Sequence, residues 1–590
     1  MGGRADPQTP ITNYGDRVQN AALTHFRGII GFFVPLFALS WQGELGKNDI
    51  TVKLMWMLLF WTLFWQPVTI QASGFIPMFL LPMTGVIDSD KTCHFYFTDI
   101  TGLFLVGNMI HLLMNNSGVD RRIALWFLCS GNTRQFSGKR LVYKASTAAF
   151  LLSAICNKFI VTSNIIEIMT RVLISQQGKV KGESKYDEVR YIVNNAIQTS
   201  SSIGSICVVH ASYGTLFFRG IWSVSAPEGM EYPDIFNYLQ YSCYAIPTAL
   251  VMFLINVFYH MWLINRKTGK PMSEAAMVEV KKSLQEQKKA LPKKIGTHEK
   301  LTIFFTALAL IAFIFRWCKW LNMGWSTFRR ETVSPDIPGI KDATVASTFL
   351  ILLHVLPKTF GFVKYFTIKR KSQLPPLKPE SAILFWRFVN KYTNYGYIFL
   401  LGAGTVLNYA TRATNLSQAI SAGPGHIFTS HGWCFSLLLV VMVAIILSNI
   451  MPGVAACVIF LPFVINMAVE PDAPVPWPKN VYLGALGVGM ACSMTFMCPF
   501  SNTPAHYCHT TGKVPAKKMA VYSFLSMVIC GIVIWLSICF WAPMIWDPSG
   551  EGISPVASPV SGAGGGGGGG GSSEAPSTGG AAPPATTPPP

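Results

Sequence analysis

Long apolar segments of bilayer-spanning length recur along the whole chain. A helix needs about 20 mainly apolar residues to cross the hydrocarbon core of a membrane. By that criterion the pattern predicts eleven spans, at residues 26–41, 53–68, 71–87, 98–114, 192–217, 241–264, 301–321, 343–366, 392–411, 479–498 and 519–542. The hydrophobic pattern therefore predicts an all-α, polytopic membrane protein with about eleven transmembrane helices.

Two further apolar stretches, 145–170 and 433–468, carry polar residues near their middles. Interrupted backbone at membrane depth is tolerated only where it is buried in protein or lines a cavity. We interpret both stretches as re-entrant hairpins. Each is followed by a span rich in small and polar residues, 199–215 in the first half and 484–506 in the second. Such pairs in corresponding positions indicate an inverted-repeat transporter with its substrate near the membrane midplane, between the hairpin tips and two unwound helices.

The predicted elements divide the chain into two membrane repeats with short flanking parts. We expect a cytoplasmic N-terminus (1–25), a first repeat (26–265), a basic cytoplasmic linker (266–300), a second repeat (301–546) and a tail (547–590). The tail is rich in Gly, Pro and Ser and contains a run of Gly. Because such a composition cannot form a packed core, the tail is predicted to be disordered.

The balance of charge supports this picture. Only 13% of residues are charged, about half the share of a soluble domain, and this excludes an ordinary soluble globule and a nucleic-acid-binding protein. The net charge of +19 comes from Lys and Arg in the loops 121–144, 266–300, 367–378 and 513–518, whereas the loop 220–240 has only acidic charges. Eleven spans starting in the cytoplasm place every basic loop inside, as the positive-inside rule requires, and the tail outside.

Within the basic linker, residues 274–291 are predicted to form a short amphipathic helix. One interpretation is a solvated helix, and the other is a surface that recruits anionic lipid or a partner helix. The sequence does not distinguish the two.

No enzyme motif is present, since the chain lacks HExxH, GxSxG and a P-loop. We therefore predict that the protein is not an enzyme and holds no cofactor. Two histidine pairs, His426 with His431 and His506 with His509, have no nearby carboxylate that would complete a metal site. We interpret them as loop or cavity histidines.

Polar residues are costly inside a membrane and usually serve a site. Four groups interrupt the apolar segments: Cys156, Asn157 and Lys158; Ser202, Gly204 and Ser205; Ser448, Asn449, Pro452 and Gly453; and Ser501, Asn502, Thr503 and Pro504. Hydroxyl, amide and carbonyl oxygens suit a hard cation such as sodium, and the N–H groups of half-helix N-termini suit a carboxylate. The alternative is that these small residues only allow close helix packing.

Several short runs resemble one family of transporters. They are Arg122-Ile123-Ala124-Leu125, Asp342-Ala343-Thr344-Val345-Ala346, Phe399-Leu400-Leu401-Gly402-Ala403-Gly404 and Phe460-Leu461-Pro462. In order and spacing they resemble the divalent anion:sodium symporter family, which transports citrate, succinate, other dicarboxylates and sulfate. The resemblance implies eleven spans with two re-entrant hairpins, a homodimer in the plasma membrane, a small anionic substrate, sodium as the coupling ion and an elevator-like motion.

The chain departs from the family at the hairpin tips, where the family carries Ser-Asn-Thr and binds sodium. The first tip here is Cys156-Asn157-Lys158, and the motif at the second tip aligns either with Pro452-Gly453-Val454 or with Ser448-Asn449-Ile450. Lys158 is the sharpest departure. Its ammonium group can replace a sodium ion permanently, or it can carry a proton, or it can extend to the cytoplasmic interface.

These observations favour a secondary active transporter of di- or tricarboxylates, or of related divalent anions, with altered and sodium-independent coupling. The alternative is a transport-inactive relative that acts as a membrane sensor or an interaction protein.

Overall fold

The structure is a computed structural model of the whole chain. It describes residues 14–36, 47–131, 137–177, 184–226, 230–268, 274–317, 324–326, 340–368, 374, 378–467, 481–548, 553 and 556–557. The predicted N-terminal segment is therefore described only from residue 14, and nearly all of the predicted disordered tail lies outside the described residues.

The described residues fold almost entirely into α-helices, as predicted. Outside the hairpins and the broken helices defined below, the helices are Tyr14–Leu36, Lys47–Trp65, Ile70–Ser73, Ile76–Met83, Ser89–Tyr96, Asp99–His111, Leu113–Ser117, Val119–Cys129, Tyr238–Thr268, Glu274–Lys289, Thr297–Ile314, Asp342–Val355, Val363–Thr367, Trp386–Tyr392, Tyr397–Ala413, Leu416–Ile420, His426–Thr429, Ala516–Leu536 and Ala542–Trp546. The described strands are two residues each, with Met230–Glu231 pairing antiparallel to Val556–Ala557. Two residues of the predicted disordered tail are thus paired.

Both interrupted apolar stretches form helix–break–helix hairpins. The first hairpin consists of Gly138–Ile155 and Lys158–Gln177, and the second of Trp433–Ile450 and Gly453–Asn466. Each break is two residues long and follows an isoleucine. In the second hairpin the break contains Pro452, whose ring fixes φ and whose nitrogen carries no hydrogen to donate, so it ends one helix and begins the next.

The two spans rich in small residues are broken helices. The first broken helix consists of Ser184–Gly204 and Tyr213–Ser223, joined through two short 3₁₀ turns. The second broken helix consists of Val481–Ala491 and Thr503–Thr510, joined through a non-helical segment. The two unwound helices expected from the sequence are therefore present, and the predicted spans 192–217 and 479–498 contain all eight residues of the first break and the first seven of the second.

Five described helical segments are long and apolar enough to cross a membrane: Ser89–Ser117, Tyr238–Thr268, Thr297–Ile314, Trp433–Ile450 and Ala516–Trp546. Shorter apolar helices cover Ile70–Met83, Asp342–Val355, Gly453–Asn466 and Val481–Ala491. The predicted spans 71–87 and 343–366 each consist of two short helices instead of one. Eleven spans therefore stay a prediction, and the segments agree with an integral, multi-pass membrane protein.

The predicted amphipathic helix of the linker is present as Glu274–Lys289. Its apolar residues Val280 and Leu284 are buried against the helix Val119–Cys129 and the first hairpin. One apolar face of the helix therefore packs on the rest of the protein, and the choice between a solvated helix and a surface that recruits lipid or a partner stays a prediction.

Candidate functional site

Each hairpin packs directly against the broken helix that follows it. A Cβ atom added to Gly204 would lie 2.2 Å from the carbonyl oxygen of Phe150 in the first hairpin. In the second hairpin the glycine belongs to the hairpin and the carbonyl group to the broken helix. A Cβ atom on Gly453 would lie 2.3 Å from the carbonyl oxygen of Cys492. Glycine at these two positions lets the backbones approach closely, which brings the hairpin tips to the breaks.

Asn157 anchors the first hairpin tip to the helix Asp99–His111 and the short helix after it. Its backbone N–H donates to the carbonyl oxygen of His111 (3.2 Å) and to Oδ1 of Asn115 (3.1 Å). Its side-chain Nδ2 donates to Oδ1 of Asn108 (3.2 Å), and its Oδ1 accepts from the N–H of Phe159 (3.0 Å). The tip is thus held by hydrogen bonds among buried amide groups. They fix the start of the second helix of the hairpin, Lys158–Gln177.

Lys158 is the first residue of this second helix, and its side chain points into the break of the first broken helix. Only 4% of the residue is exposed. Its Nζ donates to Oγ of Ser205 (3.3 Å) and to Oγ of Ser212 (3.4 Å). Among the described residues no carboxylate forms an ion pair with it. The interpretation that Lys158 extends to the cytoplasmic interface is therefore wrong, because two buried hydroxyls hold its ammonium group inside the protein.

Two serine hydroxyl groups connect Lys158 to the second broken helix. Oγ of Ser212 donates to Oγ of Ser493 (2.9 Å), and Oγ of Ser493 donates to the carbonyl oxygen of Gly489 (3.0 Å). Ser493 lies at the start of the break in the second broken helix. The two breaks therefore meet at these serines, and hydroxyl groups link the buried cation of the first hairpin to the second broken helix.

Asn449 connects the second hairpin to the break of the second broken helix. Its Oδ1 accepts from the N–H groups of Phe496 (2.8 Å) and Met497 (3.0 Å). Its Nδ2 donates to the carbonyl oxygens of Met494 (3.1 Å) and Ile445 (2.8 Å). One side chain thus satisfies three backbone groups that the break removes from helical hydrogen bonding.

The positions of the breaks relate the two tips. Lys158 and Gly453 are each the first helical residue after the break, so Cys156-Asn157-Lys158 corresponds to Met451-Pro452-Gly453. The second break therefore lies one residue before the alignment with Pro452-Gly453-Val454. Ser448 and Asn449 lie instead in the last turn before the break.

The remaining predicted residues surround the breaks. Oγ of Ser205 donates to the carbonyl oxygen of Ser202 (2.8 Å), whereas Oγ of Ser202 itself has no hydrogen-bond partner among the described residues. Buried hydroxyls of Ser200 and Thr495 are also without a partner there. Because a buried unpaired hydroxyl is unfavourable, these groups are able to accept a ligand or an ordered water.

The last predicted group begins the second half of the second broken helix. The carbonyl oxygen of Ser501 accepts from the N–H of Gly453 (3.1 Å), which ties the group to the second tip. Oδ1 of Asn502 accepts from the N–H of Thr503 (2.8 Å), and Pro504 occupies the first turn. These residues therefore form a capped helix start that faces the tip.

A ring of four charges closes one side of the first broken helix. Arg219 contacts Asp342 (2.7 Å) and Asp234 (3.1 Å), and Arg316 contacts the same two carboxylates (2.5 Å and 2.7 Å). Arg219 belongs to the second half of the first broken helix, whereas Asp342 begins the helix Asp342–Val355. Next to the ring lies a cavity of about 610 Å³, lined also by Asp99.

The two histidine pairs of the sequence do not gather metal ligands. The described residues contain no group of three His, Cys, Asp or Glu side chains that could hold a metal ion. Nδ1 of His509 contacts the carbonyl oxygen of Val514 (2.7 Å). His509 is therefore engaged in a local backbone contact near the end of its helix.

An apolar helical protein in which two hairpin tips and two broken helices converge on buried polar groups belongs to the class of integral, multi-pass membrane transporters. The chain belongs to the citrate transporter family, whose family model matches residues 56–489. This confirms the resemblance to the citrate and dicarboxylate transporters that the short sequence runs indicated.

Individual relatives agree over nearly the full chain. The "Protein I'm not dead yet" of Drosophila melanogaster is 23% identical over 92% of this chain and 92% of its own. The "Na(+)/dicarboxylate cotransporter 3" of Rattus norvegicus is 22% identical over 84% of this chain and 88% of its own. The solved YdaH transporter of Alcanivorax borkumensis covers 78% of this chain and 90% of its own, with 11% identity and a TM-score of 0.48.

The sequence did not point to several polar residues of this region. They are Asn108, His111, His210, Ser212, Ser493 and Thr495. Asn108 and His111 interrupt an otherwise apolar helix, and this was the available signal. The serines lie just past the ends of helices whose exact ends the hydrophobic pattern does not resolve.

Proposed function

We propose that the protein is a secondary active transporter of di- or tricarboxylates, such as succinate or citrate, or of related divalent anions. Its membership of the citrate transporter family supports transport of carboxylates. The name of the rat relative, a Na(+)/dicarboxylate cotransporter, supports a dicarboxylate as substrate. The substrate would bind between the two hairpin tips and the two breaks.

The observation that carries the proposal is the buried ammonium group of Lys158, which contacts two hydroxyls and, in the part of the chain that the structure describes, no carboxylate. A buried charge without a counter-ion is strongly unfavourable. An anionic substrate would supply that counter-charge, so the empty site is prepared for an anion. Lys158 then takes the role that a sodium ion has in the related symporters, and it cannot dissociate.

We propose two groups of binding residues on this basis. The first site consists of Cys156, Asn157, Lys158, Ser202, Gly204 and Ser205. The second consists of Ser448, Asn449, Pro452, Gly453, Ser501, Asn502, Thr503 and Pro504. The second site has no lysine in its tip and is lined by backbone carbonyls and hydroxyls. Those are suitable ligands for a sodium ion, so sodium as a second coupling ion is compatible with the proposal.

The arrangement in the membrane is also a proposal. It comprises eleven spans, two repeats (26–265 and 301–546), a homodimer in the plasma membrane and an elevator-like motion of the hairpins with the broken helices. The N-terminus and the linker 266–300 would be cytoplasmic, and the tail outside. The pairing of Met230–Glu231 with Val556–Ala557 supports a tail on the same side as the acidic loop.

The test is uptake of radiolabelled succinate and citrate into liposomes that contain the purified protein, with and without sodium. We expect uptake in sodium-free medium at a rate close to that in sodium. Lys158→Met should reduce it at least about tenfold, since removing about 1.4 kcal/mol of substrate stabilisation has that effect. Lys282→Met is the matched control, because Lys282 is exposed on the linker helix.

The outcomes separate the candidate functions. Strict sodium dependence of the wild-type protein would overturn the role of Lys158 and leave carboxylate transport standing. If the folded protein neither transports nor exchanges succinate, citrate or sulfate under any condition, the alternative of a transport-inactive sensor or interaction protein is correct.

A further inference from the structure

The helix Tyr238–Thr268 carries an exposed apolar stripe that ends in a cation. Its exposed side chains Ile255, Phe258 and Trp262 follow one another at intervals of three or four residues, and the exposed Arg266 comes one turn later. Residues at this spacing share one face of a helix. An apolar face that a membrane-spanning helix leaves uncovered is in contact with lipid. Arg266 therefore lies where the contact with the lipid tails ends.

The helix Thr297–Ile314 shows the same order in the opposite direction. Its exposed residues Phe304, Leu308 and Ile311 also lie three or four residues apart, so they form one apolar stripe. The exposed Lys300 precedes this stripe by one turn. A lysine at such a position lays its aliphatic chain along the apolar surface and holds its ammonium group at the level of the lipid headgroups.

Arg266 and Lys300 lie on the same side of the membrane. The ring of Tyr238, at the start of the first helix, stacks on that of Phe313, near the end of the second, with 4.5 Å between centroids. Because both helices are long enough to cross a membrane, the end of the first and the start of the second share the opposite side. The guanidinium group of Arg266 is 5.1 Å from the centre of the Trp262 ring. Tryptophan is enriched at the membrane–water interface, so this contact marks the level of the headgroups.

The linker between these two helices carries further cations on its surface. Two lie in the last turn of the linker helix Glu274–Lys289 and two shortly after it, and all four side chains are exposed. With the cations at the two helix ends they form a surface that we name the basic band: Arg266, Lys288, Lys289, Lys293, Lys294 and Lys300. Over the described ranges of the chain, no carboxylate forms an ion pair with a residue of this band. Its positive charge is thus available to an external anion.

The linker helix has little apolar surface left for another partner. Val280 and Leu284 are buried against the helix Val119–Cys129 and the first hairpin. Val278 and Ile295 are exposed, but as single residues. A partner helix would dock through an apolar face, and insertion of the linker helix into a membrane would also require one. Since that face is occupied, the linker presents mainly positive charge to its surroundings.

Two lysines join the linker helix to the first hairpin. Nζ of Lys281, on the linker helix, donates to the carbonyl oxygen of Gly131 (2.7 Å), and Nζ of Lys144, on the hairpin, donates to the carbonyl oxygen of Ser130. Both carbonyl groups directly follow the helix Val119–Cys129, whose C-terminal end attracts cations. Three elements therefore meet at one point, and the position of the linker helix is coupled to that of the hairpin.

From these observations we infer that the basic band binds the phosphate groups of anionic phospholipids in the adjacent leaflet. The bound lipid thereby holds the linker helix in place beside the first hairpin. Ammonium and guanidinium groups donate charge-assisted hydrogen bonds to phosphate oxygens. A cluster of about four to eight cations next to a membrane-spanning helix is typical of proteins that bind anionic lipid. The inference goes beyond the proposed function, because it does not depend on which substrate is transported.

The first experiment measures thermal unfolding of the purified full-length protein in detergent, with added phosphatidylserine or with added phosphatidylcholine. We expect phosphatidylserine to raise the melting temperature by at least about 3 °C more than phosphatidylcholine, since a ligand of the folded state stabilises it. The difference should vanish at a salt concentration of about 1 M, where the Debye length is only about 3 Å. Equal melting temperatures with both lipids, or a difference that persists at high salt, would overturn the inference.

A pair of variants assigns the effect to the basic band. K288Q/K289Q/K293Q/K294Q removes four of its charges, and we expect it to lose most of the stabilisation by phosphatidylserine. K288R/K289R/K293R/K294R is the matched control, because it keeps the charges at the same exposed positions and should respond as the wild-type protein does. A glutamine variant that is stabilised as strongly as the arginine variant would contradict the assignment.

The consequence for the first hairpin is measured by exchange of radiolabelled succinate in liposomes. In phosphatidylcholine mixed with phosphatidylserine, the wild-type protein and the arginine variant should exchange succinate at least about threefold faster than the glutamine variant. In pure phosphatidylcholine the three proteins should have equal rates. Equal rates in the mixed liposomes would overturn the coupling of the band to the hairpin. Absence of any exchange by the wild-type protein in both liposomes would overturn the proposed function instead, and the melting temperatures would still decide on the lipid surface.

Discussion

Lys158 and Gly453 occupy corresponding positions, each as the first helical residue after the break of its hairpin. The first position carries a buried ammonium group that contacts Ser205 and Ser212. The second carries no side chain and lies against the carbonyl oxygen of Cys492. The two hairpins thus share the position of their break but not their chemistry, and this difference can be tested at each tip separately.

The double substitution Cys156→Ser with Lys158→Thr gives the first tip the sequence Ser-Asn-Thr. We expect this variant to require sodium for succinate uptake, with at least about a tenfold stimulation, because the loss of the fixed cation leaves oxygen atoms that favour a bound metal ion. Uptake at increasing sodium concentration measures it. Cys156→Ser alone keeps Lys158 and should remain sodium-independent. Equal uptake by the double variant with and without sodium would contradict the assignment of Lys158 to the cation position.

Gly453→Ala tests the close approach at the second tip. The added methyl group would meet the carbonyl oxygen of Cys492 and the side chain of Thr495, so the tip has to shift. We expect a loss of about 1–3 kcal/mol of stability, as overpacking usually produces, together with a reduced transport rate. Thermal unfolding of the purified protein measures the first effect. Gly432→Ala, just before the same hairpin, meets nothing within 4 Å and should change little.

Asn449→Ala removes the side chain that satisfies the break of the second broken helix. The N–H groups of Phe496 and Met497 lose their acceptor, and each buried unpaired group costs about 1–3 kcal/mol. We expect a clear decrease in the melting temperature and loss of transport. Ser448→Ala is the neighbouring control, since its hydroxyl mainly contacts the carbonyl oxygen of Ile445 in its own helix. Similar stability of the two variants would show that Asn449 does not hold the break.

Asp342→Asn disturbs the ring of four charges from its buried side. The side chain of Asp342 is 0% exposed, and its loss leaves Arg219 and Arg316 with one carboxylate between them. Breaking a buried pair in this way costs about 3–5 kcal/mol. Asp234→Asn removes the other carboxylate, which is 48% exposed, and we expect a smaller effect because water replaces part of its contacts. Thermal unfolding compares the two, and an equal effect would contradict the difference in burial.

The fold followed from the sequence where the hydrophobic pattern was long or clearly interrupted. The breaks of both hairpins lie within the interrupted stretches 145–170 and 433–468, and the linker helix lies within 274–291; the division of the chain into two membrane repeats stays a prediction. The two unwound helices were expected from their small and polar residues, but the pattern did not give the ends of the breaks, because apolarity continues through residues 205–212 although the helix does not. Hydrophobic periodicity reports burial, and in a protein this apolar a helix and a buried non-helical segment look alike.

The candidate site was predictable only in its polar residues. Asn157, Lys158 and Ser205 are unusual in an apolar segment and could be singled out from the sequence. Their partners could not, since Ser212 and Ser493 become neighbours only when the two breaks meet. His111 and His210 were missed for the same reason. They are far apart in the chain and belong to different elements, and their rings come together only in the fold.

A tethered cation has a consequence for the return of the empty carrier. A sodium ion leaves with its substrate, whereas Lys158 remains buried beside Ser212 after the anion has dissociated. The unloaded protein would therefore carry a positive charge across the membrane on its way back, and moving one charge through the full potential changes the energy by about 2.3 kcal/mol per 100 mV. Membrane voltage would then set the speed of the return step, and a second anion on the opposite side would accelerate it by neutralising the lysine.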